Sequence, residues 1–369
     1  MKTKLSSLLI ITNLYPVPWA PNRASFNKQQ FDLLANKMQV QLVILMPWTE
    51  WLSQRSQWKE QPHIKACPYF YTPKIGRRFV PFFQYISLLF MLPWIKKSNP
   101  DALLASWCFP DAVAAARLNK HLSLPFYVKV HGTDVNENSQ FSSRKKLIKT
   151  WLNSAKAIFC ASKALGEKLV ETGISPERIC VNYNGVNPKI FFPAAKKTTE
   201  KKLVFVGSLI PTKGVNELVT AFVNLSKRDK EVTLDIIGGG PMIESLKQLA
   251  NDHGLTDRMK IHGSIPLNDV AGFIRNANFL VLPSYREGVP NVLLESFASA
   301  TPVIATNVGG IPEVVTDDTG IVINAQDSAA LEEAIEDAFE RTWQAEKILQ
   351  HAATFDWQQN INTVLKRMG

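Results

Sequence analysis

Short β-branched apolar runs alternate with longer amphipathic stretches along the chain. In the first half, runs at Leu8–Ile11, Val40–Met46, Ala102–Ser106, Phe126–Val130, Ala157–Ala161 and Arg178–Tyr183 predict strands. Patterns at Phe26–Met38, Asp111–Asn119 and Ser162–Thr172 predict helices between them. The alternation lapses after Phe191-Phe192-Pro193, where the charged, Thr-rich stretch Ala194–Lys202 reads as a linker. It then restarts with strands at Leu203–Val206, Val232–Ile237, Met259–Ile261, Phe279–Leu282, Val303–Ala305 and Gly320–Ile323. Helices are expected at Val215–Leu225, Met242–Asn251, Asn291–Ser299, Ser328–Phe339 and Trp357–Met368. Repeated strand–helix–strand order predicts an α/β fold with two Rossmann-like, doubly wound domains facing a cleft. Ligands bind such sheets at the carboxyl ends of the strands, so the cleft is the expected site. The expected boundaries are 1–190 for the N-terminal domain, 191–202 for the linker and 203–354 for the C-terminal domain. A closing helix at 355–369 has the N-terminal domain as its expected seat.

Length agrees with that division, since 369 residues exceed one ordinary core. A 46% hydrophobic and 20% charged composition excludes a disordered or polytopic membrane chain. The four cysteines show no Cys-x-x-Cys spacing and mostly sit in apolar runs, which suits packed thiols in a reducing compartment. The net charge of +10 is uneven: residues 1–190 carry 25 Lys and Arg against 10 Asp and Glu, the remainder 17 against 22. One half is thus suited to an anionic partner, with nucleic acid and an anionic membrane as the two candidates. The opening MKTKLSSLLIITNLYPVPWA imitates a signal peptide, but its apolar core is short and broken by Asn13, which favours a buried first strand. Segment Phe79–Ile95 carries Pro81, Gln84, Ser87 and Pro93 and falls short of a membrane span. Bracketed by Arg77-Arg78 and Lys96-Lys97, it reads either as a buried helix or as an aromatic–basic face for lipid headgroups. A second basic patch follows at Arg144-Lys145-Lys146, with Lys149 and Trp151. A cytoplasmic protein, peripheral on the inner face of the membrane, is the expected setting.

The segment Pro283–Val315, PSYREGVPNVLLESFASATPVIATNVGGIPEVV, carries the most chemistry. A strand ends at Pro283, and a loop runs into a helix with Pro290 near its first position, where proline is tolerated. Free N–H groups of Asn291, Val292 and Leu293 at that helix end would suit a diphosphate. Glu287 precedes the helix and Glu295 lies one turn inside it. A carboxylate accepts two hydrogen bonds at once, which matches vicinal sugar hydroxyls; an N-terminal acid plus a solvated helix Glu is the alternative.

Glu287-x(7)-Glu295, followed by Ala305-Thr306-Asn307-Val308-Gly309-Gly310-Ile311-Pro312-Glu313, resembles the donor-site signature of glycosyltransferase family 4. That family has the GT-B fold and contains retaining, nucleotide-sugar-dependent enzymes. The resemblance implies that Glu287 contacts hydroxyls of the transferred sugar and Glu295 holds the ribose. It implies that backbone N–H groups of Gly288, Val289, Asn291 and Val292 help hold the phosphates. Gly207-Ser208-Leu209 through Lys213-Gly214 resembles the family's phosphate loop, with Lys213 matching and Ser208 standing where an Arg is usual. Gly238-Gly239-Gly240-Pro241, with Gly239 at its centre, leaves room for close backbone approach, as a nucleotide contact or as a tight turn. His131-Gly132-Thr133-Asp134 follows a strand, placing His131 near the sugar and the developing charge, and Asn184-Gly185-Val186 resembles the turn before the family's hinge. The family's Gly-rich turn after the first strand is replaced by Pro21-Asn22-Arg23-Ala24-Ser25, which leaves Arg23 and Asp134 as acceptor-side candidates.

The resemblance therefore implies a retaining, metal-independent glycosyltransferase with catalytic Glu287, His131 and Lys213. The N-terminal domain would bind the acceptor, a saccharide or lipid-linked molecule, and the C-terminal domain a UDP- or GDP-linked sugar. Cell-envelope polysaccharide or glycolipid synthesis is the expected setting, with no cofactor, no metal and no nucleic acid. A nucleotide-sugar epimerase on the same fold, a nucleic-acid-binding protein and a catalytically dead scaffold are the alternatives.

Overall fold

The computed structural model describes residues 5–71, 76–195 and 200–369. They fall into two compact units, Met1–Tyr183 joined by Gln358–Gly369, and Asn184–Trp357. The division lies at Tyr183/Asn184 rather than at residue 190, so Asn184–Ile190 belongs to the second unit. Phe191, placed in the expected linker, is buried, and residues 196–199 of that linker lie outside the described residues.

The first unit holds strands β1 Ser7–Thr12, β2 Gln39–Pro47, β3 Ile64–Tyr69, β4 Ala102–Ser106, β5 Phe126–Val130, β6 Ala157–Cys160 and β7 Ile179–Val181. They form one parallel sheet in the order β3-β2-β1-β4-β5-β6-β7. Strand β3 was absent from the sequence reading because Pro68 and Lys65 interrupt its apolar run; at the sheet edge a proline is tolerated. Side chains alternate between the two faces. Leu9, Ile11, Leu103, Ala105, Val128 and Val130 pack with helices Val80–Ser98, Val113–Asn119, Ser142–Leu152 and Lys163–Glu171. Leu8, Ile10, Leu104 and Tyr127 pack on the other face with Phe31 and Leu34 of helix Ser25–Ala35 and with Ile361, Val364 and Met368 of the last helix.

Helix Val80–Ser98 runs three residues beyond the expected apolar stretch and is long and apolar enough to cross a membrane by length and composition, against the sequence expectation. Val80, Leu88 and Ile95 are buried on the sheet, while Phe79 just before it and Phe82, Ile86 and Phe90 within it remain exposed, Phe90 to 78%.

The second unit holds β8 Lys202–Val206, β9 Thr233–Ile237, β10 Met259–Gly263, β11 Phe279–Leu282, β12 Val303–Thr306 and β13 Gly320–Ile323. Its parallel sheet has the order β10-β9-β8-β11-β12-β13. Each sheet reverses its winding once, between β1 and β4 and between β8 and β11. At these switch points successive loops diverge and leave a crevice at the carboxyl edge.

Candidate active site

At the second unit's switch point the loops after β8 and β11 lie side by side. The chain leaves β8 through Gly207, whose N–H bonds Ile237 at 3.0 Å, and Leu209 N–H bonds the Gly239 carbonyl at 2.8 Å. A turn of 3-10 helix at Pro211–Lys213 then meets Gly214, whose φ of 69° is left-handed. A Cβ at Gly214 would stand 1.9 Å from the Pro283 carbonyl oxygen, so no other residue permits this approach. Tyr285 N–H bonds the Thr212 carbonyl at 2.9 Å, closing the two loops on each other. The loop after β12 is seated the same way: Gly309, at φ 56°, would bring a Cβ within 2.0 Å of the Glu287 carbonyl, and Gly310 N–H bonds Gly288 at 2.9 Å.

These contacts bring Lys213 and Glu287 together, with Nζ 2.5 Å from Oε1 and the carboxylate side chain only 11% exposed. Helix Asn291–Ala298 begins four residues after Glu287, with Pro290 in the capping position and no side-chain cap. Leu293 N–H bonds the Pro290 carbonyl at 3.1 Å, which corrects the expectation that it is free. Asn291 and Val292 N–H have no acceptor among the described residues. Glu295 points from this helix with no partner for its carboxylate among the described residues, and burial pushes its pKa up to about 7. In the loop after β11, Tyr285 donates to Glu217 Oε1 at 2.5 Å, while Glu217 Oε2 and Ser284 Oγ are buried with no hydrogen-bond partner among the described residues. Ser208 is exposed at the loop tip. Among the described residues the crevice therefore brings together a lysine paired with Glu287, two open N–H groups and an unpartnered carboxyl group: donors for phosphate oxygens beside an acceptor for hydroxyls.

His131 belongs to the first unit, at the carboxyl end of β5. Its Nε2 lies 2.9 Å from Ser106 Oγ at the end of β4, and its ring meets Phe26 at 5.2 Å and Trp107 at 6.0 Å between centroids. Burial, reinforced by the neighbouring Lys129 cation, holds its pKa well below the ordinary histidine value, so the ring is neutral at pH 7. Trp107 carries a φ of 153°, a strained backbone for a residue with a side chain.

One acceptor-side candidate is corrected here. Asp134 is fully buried and accepts from Cys108, His131 and Gly132 N–H at 2.7, 3.0 and 2.8 Å; it shapes the backbone after β5 and faces no solvent. Arg23 remains partly exposed and donates to Glu50 Oε1 at 2.7 Å, which also accepts from Trp19 at 2.8 Å. The sequence reading passed over Lys129. It is 3% exposed, bonds Gln30 Oε1 at 2.8 Å, and burial lowers its pKa to about 7. A lysine inside the apolar run FYVKV was the available signal.

Comparison with known proteins agrees with this architecture. The profile described as Glycosyltransferase Family 4 matches residues 33–190, and that described as Glycosyl transferases group 1 matches residues 186–354. The chain belongs to glycosyltransferase family 4, with the GT-B type of fold built from two Rossmann-like domains. It is 30% identical over 223 residues to an uncharacterized glycosyltransferase of Methanocaldococcus jannaschii, covering 60% of each chain. It is 29% identical over 246 residues to the putative teichuronic acid biosynthesis glycosyltransferase TuaC of Bacillus subtilis, over 64% of this chain and 60% of TuaC. The matched stretch thus spans about three-fifths of these relatives. Among solved structures, sucrose-phosphate synthase of Thermosynechococcus elongatus superposes with a TM-score of 0.77 at 19% identity, over 98% of both chains. HepE of Anabaena, in complex with UDP, gives 0.74 at 16% identity, over 98% of this chain and 99% of HepE. Likeness at such identities speaks for the fold alone.

Proposed function

We propose that this chain transfers a sugar from a UDP- or GDP-linked donor to a hydroxyl of a saccharide or lipid-linked acceptor, with retention at the anomeric carbon and without a metal ion. The observation that carries the reading is the meeting of Lys213, Glu287 and an uncapped helix start at one switch point, beside the unpartnered carboxyl group of Glu295. The bond from the anomeric carbon to the β-phosphate oxygen breaks, and charge gathers on that phosphate. Lys213 and the N–H groups of Asn291 and Val292 stabilise it from fixed positions, so little reorganisation accompanies the step. The acceptor oxygen attacks on the same face, and its proton passes to the departing phosphate. Glu287 orients the transferred sugar and Glu295 the ribose, and neutral His131 is the first unit's catalytic residue in this reading. The biosynthetic description of TuaC supports a role in cell-envelope polysaccharide synthesis.

Incubation with UDP-, GDP- and ADP-sugars, followed by thermal unfolding, tests the donor. A ligand at a hundredfold over its Kd adds about 2.7 kcal/mol. No shift with any of them sinks the reading.

The first unit is further proposed to rest on the cytoplasmic face of an anionic membrane. Exposed Phe79 and Phe141 each carry an arginine over the ring, Arg78 at 4.7 Å and Arg144 at 4.1 Å. Burial first, and then repulsion from Arg77, hold the Arg144 pKa down. Basic residues gain about 1 kcal/mol each near anionic lipid, and exposed Phe82 and Phe90 can enter the headgroup boundary. Co-sedimentation with phosphatidylglycerol vesicles should be strong at low salt and lost at high salt. Phe82→Ser with Phe90→Ser should weaken it, and no binding at low salt overturns the membrane setting.

A further inference from the structure

Asn184 opens the second unit in the turn Asn184-Gly185-Val186 and is only 5% exposed. The turn is anchored by Val186 N–H to the Phe355 carbonyl at 3.1 Å. Asn184 Nδ2 donates to Oδ1 of Asn291 at 2.9 Å, and Asn184 Oδ1 is buried with no hydrogen-bond partner among the described residues. Asn291 is the first residue of the helix that starts the candidate phosphate site. With its amide oxygen held by Asn184, Asn291 turns its NH2 group the other way, and no described residue accepts from it. Its side chain thus joins the open N–H groups of Asn291 and Val292, at a helix end whose dipole favours an anion. A buried acceptor without a donor is costly, and native structures rarely keep one without a role. Phosphate oxygens cannot fill that vacancy at Asn184 Oδ1; a hydroxyl can. An anion with a hydroxyl close beside it is the chemistry of a sugar phosphate.

We propose that the Asn184–Asn291 amide pair reads the donor. Asn291 Nδ2 donates to the diphosphate, and Asn184 fixes that orientation while its Oδ1 takes a hydroxyl of the same ligand. The proposal rests on the nucleotide-sugar reading of this site and deepens it. It also accounts for Ser208, since a neutral amide supplies donors where the family's usual arginine is missing.

Calorimetric titration tests the pair with UDP, GDP and ADP, continuing with the diphosphate the wild type binds, its nucleoside, and the matching glucose or mannose conjugate. Asn291→Leu should lose about tenfold in affinity for the diphosphate, the usual scale for a hydrogen bond to a charged group, and nothing for the nucleoside. Asn184→Ala should also weaken the diphosphate. A larger loss with the sugar conjugate assigns the hydroxyl to the transferred sugar; a loss with the nucleoside assigns it to the ribose. Asn184→Ser replaces Asn184→Ala if the latter does not fold, as judged by thermal unfolding. Wild-type affinity in Asn291→Leu, or an equal loss for the nucleoside, overturns the proposal alone, provided Lys213→Ala still weakens the diphosphate. A wild type that binds none of the three diphosphates overturns it together with the donor reading.

Discussion

The two switch points share a topology and differ in what they leave undone. At the first unit's carboxyl edge the buried carboxylates and lysine have partners, although Asn13 Oδ1 and Gln84 Oε1 beside Asp111 have none among the described residues. Asp134 accepts three backbone N–H groups, Asp111 accepts from Asn13 N–H and Gln84 Nε2 at 2.6 and 2.9 Å, and Lys129 is held by Gln30. At the second unit's edge the Glu295 carboxyl, Asn184 Oδ1, Glu217 Oε2 and Ser284 Oγ have no partner among the described residues. Equal burial therefore means different things. In the first unit ionisable groups build the backbone around His131, and in the second the Glu295 carboxyl group is left without a partner among the described residues.

The sharpest way to break this contrast is to exchange the expected phenotypes. Lys213→Ala should lower kcat/KM for the nucleotide sugar by about 100-fold or more, from a lost charged contact and a Glu287 left unpaired. Unchanged kcat/KM would move the phosphate contact elsewhere. Asp134→Asn should do the opposite, lowering first-unit stability by about 1–3 kcal/mol in urea denaturation while nucleotide affinity stays constant. A loss of nucleotide binding there would erase the distinction between the two edges.

Glu295→Gln sharpens it through pH. Because the folded pKa, about 7, lies above the unfolded one, the folded protein is penalised as pH rises from the unfolded pKa to about 7. The ligand-free variant should accordingly melt higher than wild type at pH 8 and alike near pH 4. Hydroxyls that donate to the ionised carboxylate favour its charged form, so wild-type nucleotide affinity should rise with pH through about 7. The variant should lose about tenfold in affinity together with that pH dependence. Ser208→Arg carries the smallest expected effect, a few-fold gain in diphosphate affinity by titration, from one more exposed cation.

What could be read from the chain follows from how local each feature is. The strands of both sheets other than β3 were legible because each is a short apolar run, and the donor motif because Glu287, Glu295, Gly309 and Gly310 lie within one stretch. Helices Ser142–Leu152 and Leu267–Asn276 were not singled out, since their buried positions are few, Ile148 and Leu152 in one, Val270, Ala271 and Ile274 in the other. Asp134 was misread because an acid after a strand gives no sign of whether it faces solvent or three peptide N–H groups. The pairing of Asn184 with Asn291 spans 107 residues, a separation no local pattern reports.

The last helix carries a consequence for synthesis. Ile361, Val364 and Met368 complete the core around Leu8, Ile10 and Phe31, and Gln30 Nε2 bonds Asn360 Oδ1 at 2.5 Å. The half of the protein translated first must therefore wait for residues translated after the whole second unit. While the ribosome makes Asn184–Trp357, the nascent sheet exposes an apolar strip that only the final helix can cover. The later unit can mature first, reversing the usual N-to-C order of folding, and the early unit is the one in need of chaperone protection.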